Sequence, residues 1–417
     1  MKYITSPALF IGKVTAPPSK SYLQRAIAIA GLSKTECSIT GYNQSDDTDA
    51  AIDVARTLGV KIDINNNVLY INGINDFNLS AKINCRESGL AARMFSMIAS
   101  LFNGEIEVSG TGTLLNRPVN IIEDALKQLG KTIFIQNNSF PVTISGNIQH
   151  SEIYIDGSVS SQVLTGLLIA LPLANQNSII HVADLKSVSY IEMTLEILND
   201  FGIVIRNSDF KRFEIQGGQI PYKKDYSIEG DWSGAAFHLV GGAIAGEVTV
   251  SGLRIDSVQA DKAILDVLSN CGAYVKTDNK SVTVKKDLLK PFCFDATDCP
   301  DLFPPLAVLA ACCMGISTIK GISRLKYKES NRAIIIKQEF EKLGVVIEFE
   351  EDNMIILGNN IQGGKVSAHN DHRIAMACAI LGLVAENAVE IEGVECVRKS
   401  YPAFFKDYES IIIKTAI

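Results

Sequence analysis

Several common signatures are missing from this chain of 417 residues. There is no G-x-x-x-x-G-K-[ST] loop, no G-x-G-x-x-G after a strand candidate and no G-x-S-x-G elbow, so nucleotide-fuelled, dinucleotide-dependent and α/β-hydrolase mechanisms lack their markers. The longest apolar runs, around Val163 to Ala174 and Leu306 to Ile316, fall short of the roughly 18 residues that suggest a membrane span. The first residues carry one early lysine and no adequate apolar core, so no signal peptide is expected. The nine cysteines are odd in number, never in C-x-x-C spacing and in several cases embedded in apolar stretches, from which a reduced cytoplasmic compartment is expected. His369 and His372 lie three apart with no evident third ligand, so neither a metal nor a cofactor is expected. A net charge of −7 argues against a nucleic-acid surface. The remaining composition, 47% hydrophobic and 20% charged, is that of an ordinary globular enzyme.

What is present is repetition. Alanine-rich apolar stretches open at Ala26, Met94, Val163, Ala235, Leu306 and Ile374, spaced 68, 69, 72, 71 and 68 residues apart. Each predicts a helix, followed by a short strand ending near glycine, as in Glu105 to Gly110 and Glu247 to Gly252. An amphipathic helix stopped at Gly59, Gly130, Gly202, Gly272 or Gly344 comes next, because glycine after the last periodic residue is a C-cap signal. Alternating strand candidates such as Asn67 to Ile71 and Ser281 to Val284 close the unit. The expected fold class is α/β, with six such units grouped three per domain, since single cores rarely exceed about 250 to 300 residues. The boundary is expected near Glu229-Gly230-Asp231, giving a first domain over 16–229 and a second from 1–15 and 230–417, with two chain crossings acting as a hinge. The last unit lacks closing strands and leads into a helix expected over Pro402 to Ile413; a strand at Ala8 to Val14 is expected to fill the vacancy.

Polar and charged residues gather where the apolar helices begin. A helix start offers unsatisfied N–H groups and a positive dipole end, which suits an anion. The first mouth is Pro17-Pro18-Ser19-Lys20-Ser21, with Arg25 one turn on; the second is Arg86 to Arg93, where Gly89 permits close backbone approach. Arg117 precedes Pro118, which biases it toward extended geometry and an outward fork. Ser160, Ser161 and Gln162 place three uncharged donors at the third mouth, with Ser187 and Tyr190 farther on. In the second half Asp301 precedes a helix and also suits an N-cap, Lys326 to Arg332 packs cations around Glu329, and Arg373 and Lys399 stand near the chain's end. Asp46-Asp47-Thr48 and Glu229-Gly230-Asp231 read as caps and turns without chemistry.

These segments resemble the 5-enolpyruvylshikimate-3-phosphate synthase family. The carriers are P-x-S-K-S-x-x-x-R (Pro17 to Arg25), L-x-x-R-P (Leu114 to Pro118), S-S-Q-x-L-T (Ser160 to Thr165), Pro300-Asp301, K-E-S-x-R (Lys328 to Arg332), N-D-H-R-x-A-M (Asn370 to Met376) and K-[ST]-[FY]-P (Lys399 to Pro402), in family order over nearly the whole chain. The resemblance implies a two-domain enolpyruvyl transferase fold of βαβαββ repeats with an interdomain cleft. It implies that Lys20, Ser21, Arg25, Ser160, Ser161, Gln162, Ser187, Tyr190, Asp301 and Lys328 bind shikimate 3-phosphate, while Lys20, Gly89, Arg117, Gln162, Arg332, Arg373 and Lys399 bind phosphoenolpyruvate. The reaction so implied is attack of the 5-hydroxyl on C2 of phosphoenolpyruvate, with Asp301 as base and Glu329, with Lys20, as acid at C3, followed by loss of phosphate. No nucleic acid, membrane or cofactor takes part, and a monomer is expected. Departures from the family pattern stand at Leu90, Met94, Lys326 and Asn331. The related UDP-N-acetylglucosamine enolpyruvyl transferase typically carries a reactive cysteine in the loop that here runs from Thr111 to Arg117 without one. A non-enzymatic nucleic-acid clamp would need basic residues spread over a face, which the overall acidity disfavours.

Overall fold

A computed structural model describes residues 1–413 apart from Asn75, Val159 and Tyr327; Val159 directly precedes Ser160 and Tyr327 falls in the charged run Lys326 to Arg332, and both lie, with 414–417, outside the described residues. Its helices are α1 (Lys20–Ala30), α2 (Asp46–Thr57), α3 (Gly89–Ile98), α4 (Asn120–Gln128), α5 (Gln162–Ala170), α6 (Val188–Asp200), α7 (Trp232–Ala245), α8 (Ile264–Asn270), α9 (Phe303–Ala311), α10 (Arg332–Glu341), α11 (His372–Leu381) and α12 (Phe404–Ser410). The alanine-rich stretches form α1, α3, α5, α7, α9 and α11, and these are buried nearly all round, as a helix without a polar face must be. Small side chains let such helices approach: a Cβ on Gly166 of α5 would lie 2.7 Å from the carbonyl oxygen of Met94 on α3. The alternate helices α2, α4, α6, α8 and α10 cover sheets with one face and end at glycines in the left-handed region, with φ between 78° and 99° at Gly59, Gly130, Gly202, Gly272 and Gly344.

Among the described residues the longer strands form six sheets. In five of them an antiparallel hairpin abuts a central strand, and a strand from elsewhere in the chain joins the other side in parallel. Ala81–Asn84 thus pairs with Ile106–Ser109, and Glu152–Asp156 pairs with Ser178–Ala183. Asp225–Ser227, which comes after α6, returns to pair with Cys37–Thr40 after α1.

The N-terminal segment differs from expectation. Leu9–Thr15 does not complete the last unit; it pairs in parallel with Gly246–Ser251, in the sheet directly after α7. The strand that completes the last sheet is Lys2–Thr5, antiparallel to Val389–Glu392, and nothing in its local sequence sets this four-residue segment apart. The expected helix over 402–413 is only α12; beyond it Ile412–Ile413 turns into a strand along Leu9–Phe10.

The chain forms two compact units: Pro18–Ile228, and Met1–Pro17 together with the chain from Glu229 onward. The first carries α1 to α6 with three sheets, and the second carries α7 to α12 with the other three. In the second unit α7, α9 and α11 build one continuous core with Phe10 and Val14 of the N-terminal strand. No helix among the described residues is long and apolar enough to cross a membrane.

Candidate active-site residues

Within the unit 18–228 the mouths of α1 and α3 carry cations, which helix dipoles alone disfavour, while α5 opens on uncharged Ser160, Ser161 and Gln162. Lys20 opens α1, and its Nζ lies 2.7 Å from Oδ2 of Asp47 in the first turn of α2. The Asp46-Asp47-Thr48 segment does act as a helix start, capped by Ser45 with Thr48 reciprocating, but Asp47 is also the counter-ion of Lys20. Arg25 is buried among neutral hydrogen-bond acceptors: Nε donates to Thr194 Oγ1 at 2.9 Å, Nη1 to the Ser21 carbonyl at 2.9 Å, and Nη2 to Thr165 Oγ1 and the Tyr190 carbonyl, both at 3.4 Å. Its guanidinium stands 5.7 Å from the Tyr190 ring centroid. Burial pulls its pKa down to about 10, which leaves it charged at neutral pH. A buried cation without a carboxylate is costly, and an arriving anion relieves that cost.

At the second mouth Arg117 has the expected extended backbone, yet its fork is not turned to solvent. Arg117 is 8% exposed, and a Cβ on Gly89 would meet Arg117 Nη1 at 2.1 Å and Arg93 Nη1 at 3.2 Å. Glycine is what allows two guanidinium groups to lie over the first turn of α3. Arg93, to which the sequence motifs assign no role, donates to Gln162 Oε1 at 2.7 Å; burial first, and the neighbouring Arg117 charge second, lower its pKa to about 9. Its signal in the sequence is that of a lone cation inside an otherwise apolar helix. Ser160 accepts from the Gln162 amide at 3.2 Å, Ser161 is buried at the start of α5, and Ser187 precedes α6 in the left-handed region at φ 57°. Arg25 therefore joins α1, α5 and α6, and Gln162 joins α5 to α3.

The unit holding α7 to α12 has a different electrostatic character. Asp301 is not a helix cap, although its place in the sequence suits one: Oδ1 accepts from Arg332 Nη1 at 2.8 Å and Lys328 Nζ at 3.3 Å, and Oδ2 lies 3.1 Å from Arg373 Nη2. Glu329 Oε2 accepts from Arg332 Nη2 at 2.5 Å. Asp371 caps α11 through the Arg373 amide at 3.0 Å and also accepts from Arg332 Nε and Ser330 Oγ, each at 3.0 Å. Burial works against the charge on Arg332, but Asp371, Glu329 and Asp301 together outweigh it and raise the pKa. Lys328 moves the other way, because burial lowers its pKa more than Asp301 raises it. Lys399 Nζ donates to the Asn370 carbonyl at 2.8 Å. Around Arg332, then, cations and carboxylates interleave, whereas in the other unit Arg25 and Arg93 are held by neutral groups and Lys20 by Asp47.

Sequence motifs found Asp301, Lys328, Glu329, Arg332 and Arg373, which the fold brings into direct contact. They missed Asp371 as the central acceptor, because its N-cap role accounts for it locally. They missed Asp261 as well: it is buried, Ser233 donates to it, and burial, then the Asp301 charge, raise its pKa to about 7.

Arginine forks and hydroxyls at helix mouths have the chemistry that suits small phosphate- and carboxylate-bearing molecules. The EPSP synthase (3-phosphoshikimate 1-carboxyvinyltransferase) family model matches residues 4–408. A 3-phosphoshikimate 1-carboxyvinyltransferase of Clostridium kluyveri is 37% identical over 99% of this chain and 97% of its own length. That of Methanocorpusculum labreanum is 35% identical over 99% and 98%. The structure of EPSP synthase from Acinetobacter baumannii superposes with a TM-score of 0.83 at 25% identity, covering 99% of this chain and 98% of that one. The chain belongs to the EPSP synthase family.

Proposed function

We propose that this chain performs the reaction for which its family is named, moving the enolpyruvyl group of phosphoenolpyruvate to the 5-hydroxyl of shikimate 3-phosphate with release of phosphate. The observation that carries the reading is the Asp301 carboxylate held by Lys328, Arg332 and Arg373. A carboxylate that accepts three cationic donors is an acceptor only, and substrate anions that draw those cations away leave it to receive the hydroxyl proton. Asp301 is the base that takes the hydroxyl proton; Glu329, with Lys20, supplies a proton to C3 and takes one back as phosphate leaves, which restores the carbon–carbon double bond of the enolpyruvyl group. Lys20, Ser21, Arg25, Ser160, Ser161, Gln162, Ser187, Tyr190, Asp301 and Lys328 hold shikimate 3-phosphate. Lys20, Gly89, Arg117, Gln162, Arg332, Arg373 and Lys399 hold phosphoenolpyruvate, where planar forks suit its carboxylate and phosphate. The reading takes the working form as a monomer in the cytoplasm. All nine cysteines are free thiols, which supports a reducing compartment.

The test is phosphate release on mixing the protein with phosphoenolpyruvate and shikimate 3-phosphate, with UDP-N-acetylglucosamine as the alternative acceptor. Release is expected with shikimate 3-phosphate alone, and Asp301→Asn should lower kcat about a hundredfold or more. Release with the sugar nucleotide instead would reverse the assignment of the acceptor.

A further inference from the structure

Beside the carboxylate cluster lies a second polar group that the reaction does not use. Glu339 sits in the last turn of α10, the helix that begins with Arg332, and is 1% exposed. Its Oε2 accepts from the Ser367 amide at 2.8 Å and its Oε1 lies 2.8 Å from His369 Nε2, while Lys342 Nζ reaches both oxygens at 2.7 and 2.8 Å. Desolvation of this carboxyl pushes its pKa up, and Lys342, His369 and the Ser367 amide together outweigh that and lower it, so it is ionised at neutral pH.

The turn it grips is unusual. His369 and Asn370 are consecutive non-glycine residues in the left-handed region, with φ 49° and 57°. A side-chain-bearing residue is strained in that region and persists there only where its surroundings dictate it. Immediately beyond the turn the chain carries its charges: the Asn370 carbonyl accepts from Lys399, Asp371 accepts from Arg332, and Arg373 pairs with Asp301. The upstream end is held by Ala368 N donating to the Glu392 carbonyl at 2.8 Å and by Asp371 N donating to the Ala368 carbonyl at 2.8 Å.

We propose that Glu339 and His369 are positioning residues that clamp the 367–371 turn and so set where Lys399 and Arg373 present their charges to an anionic substrate. Because α10 carries Arg332 at one end and Glu339 at the other, one helix registers both the arginine and the turn opposite it. The inference rests on the reading that Arg373 and Lys399 hold phosphoenolpyruvate.

Glu339→Gln and His369→Ala should each raise KM for phosphoenolpyruvate about tenfold, with KM for shikimate 3-phosphate and the melting temperature little changed. His369→Gln, whose amide can still donate to Glu339, should recover most of the loss. The His369 side chain is 37% exposed, so its variants are expected to fold. Amide hydrogen exchange over 367–373 should rise in Glu339→Gln and His369→Ala and return in His369→Gln. Unchanged exchange, or an unchanged KM for phosphoenolpyruvate in a background where Arg373→Gln does raise it, overturns the clamp. If Arg373→Gln leaves that KM unaltered, the reading of Arg373 fails, and exchange alone then decides the clamp.

Discussion

Arg25 shows how function and stability pull apart at a single side chain. Its charge is buried against Thr165, Thr194 and two backbone carbonyls, none of which returns a full negative charge. Removing it leaves few orphaned acceptors, since Thr194 also donates to the Tyr190 carbonyl at 2.8 Å and the two threonine hydroxyls lie 3.2 Å apart. Arg25→Met is therefore expected to weaken binding of shikimate 3-phosphate about a hundredfold, as loss of a charge-assisted contact of roughly 1.5 to 3 kcal/mol implies. Its urea midpoint should stay equal to or above that of the parent. Titration calorimetry and a urea melt check both; a midpoint that drops with full binding retained would mean that the guanidinium serves only the fold.

At the scale of an element, the start of α3 makes the same separation. Ser88 accepts from the Ala91 amide at 3.4 Å and caps the helix, and Gly89 leaves room for Arg117 over its first turn. Alanine is the better helix former by up to about 1 kcal/mol, so local propensity alone makes Gly89→Ala stabilising. The added Cβ would sit 2.1 Å from Arg117 Nη1, and a flexible arginine yields by moving. KM for phosphoenolpyruvate should rise about tenfold or more while the melting temperature does not fall. Steady-state kinetics beside a thermal melt measure the pair, and an unchanged KM would remove Arg117 from the ligand set.

At the scale of the whole molecule, connectivity makes the two units unequal. Residues 18–228 are one uninterrupted stretch, and Asp225–Ser227 ties the end of that stretch to the strand after α1. The other unit is assembled from two pieces, with Leu9–Thr15 inserted beside Gly246–Ser251. A fragment spanning 18–228 is thus expected to fold alone with a cooperative melt, and shikimate 3-phosphate at a hundred times its Kd should stabilise it by about 2.7 kcal/mol. Circular dichroism with and without ligand tests this; a non-cooperative melt would show that the core of this segment is incomplete without the rest of the chain.

The repeat, the helix type and the glycine stops were legible because they are local: apolar periodicity and left-handed caps are properties of a few neighbouring residues. So were the segments that carry the family resemblance, whose residue types and order are specific. Three things needed the folded chain. Ala8 to Val14 reads as a strand and Lys2–Thr5 carries no such signal, and only partners more than two hundred residues away settle which sheet each segment completes. Asp47 and Asp371 satisfy helix starts, so nothing local marks them as counter-ions of Lys20 and Arg332. The contrast between Arg25 and Arg93, held by neutral groups, and the cations paired with carboxylates around Arg332 is likewise tertiary, because charge balance depends on which distant side chains the packing brings within hydrogen-bond reach.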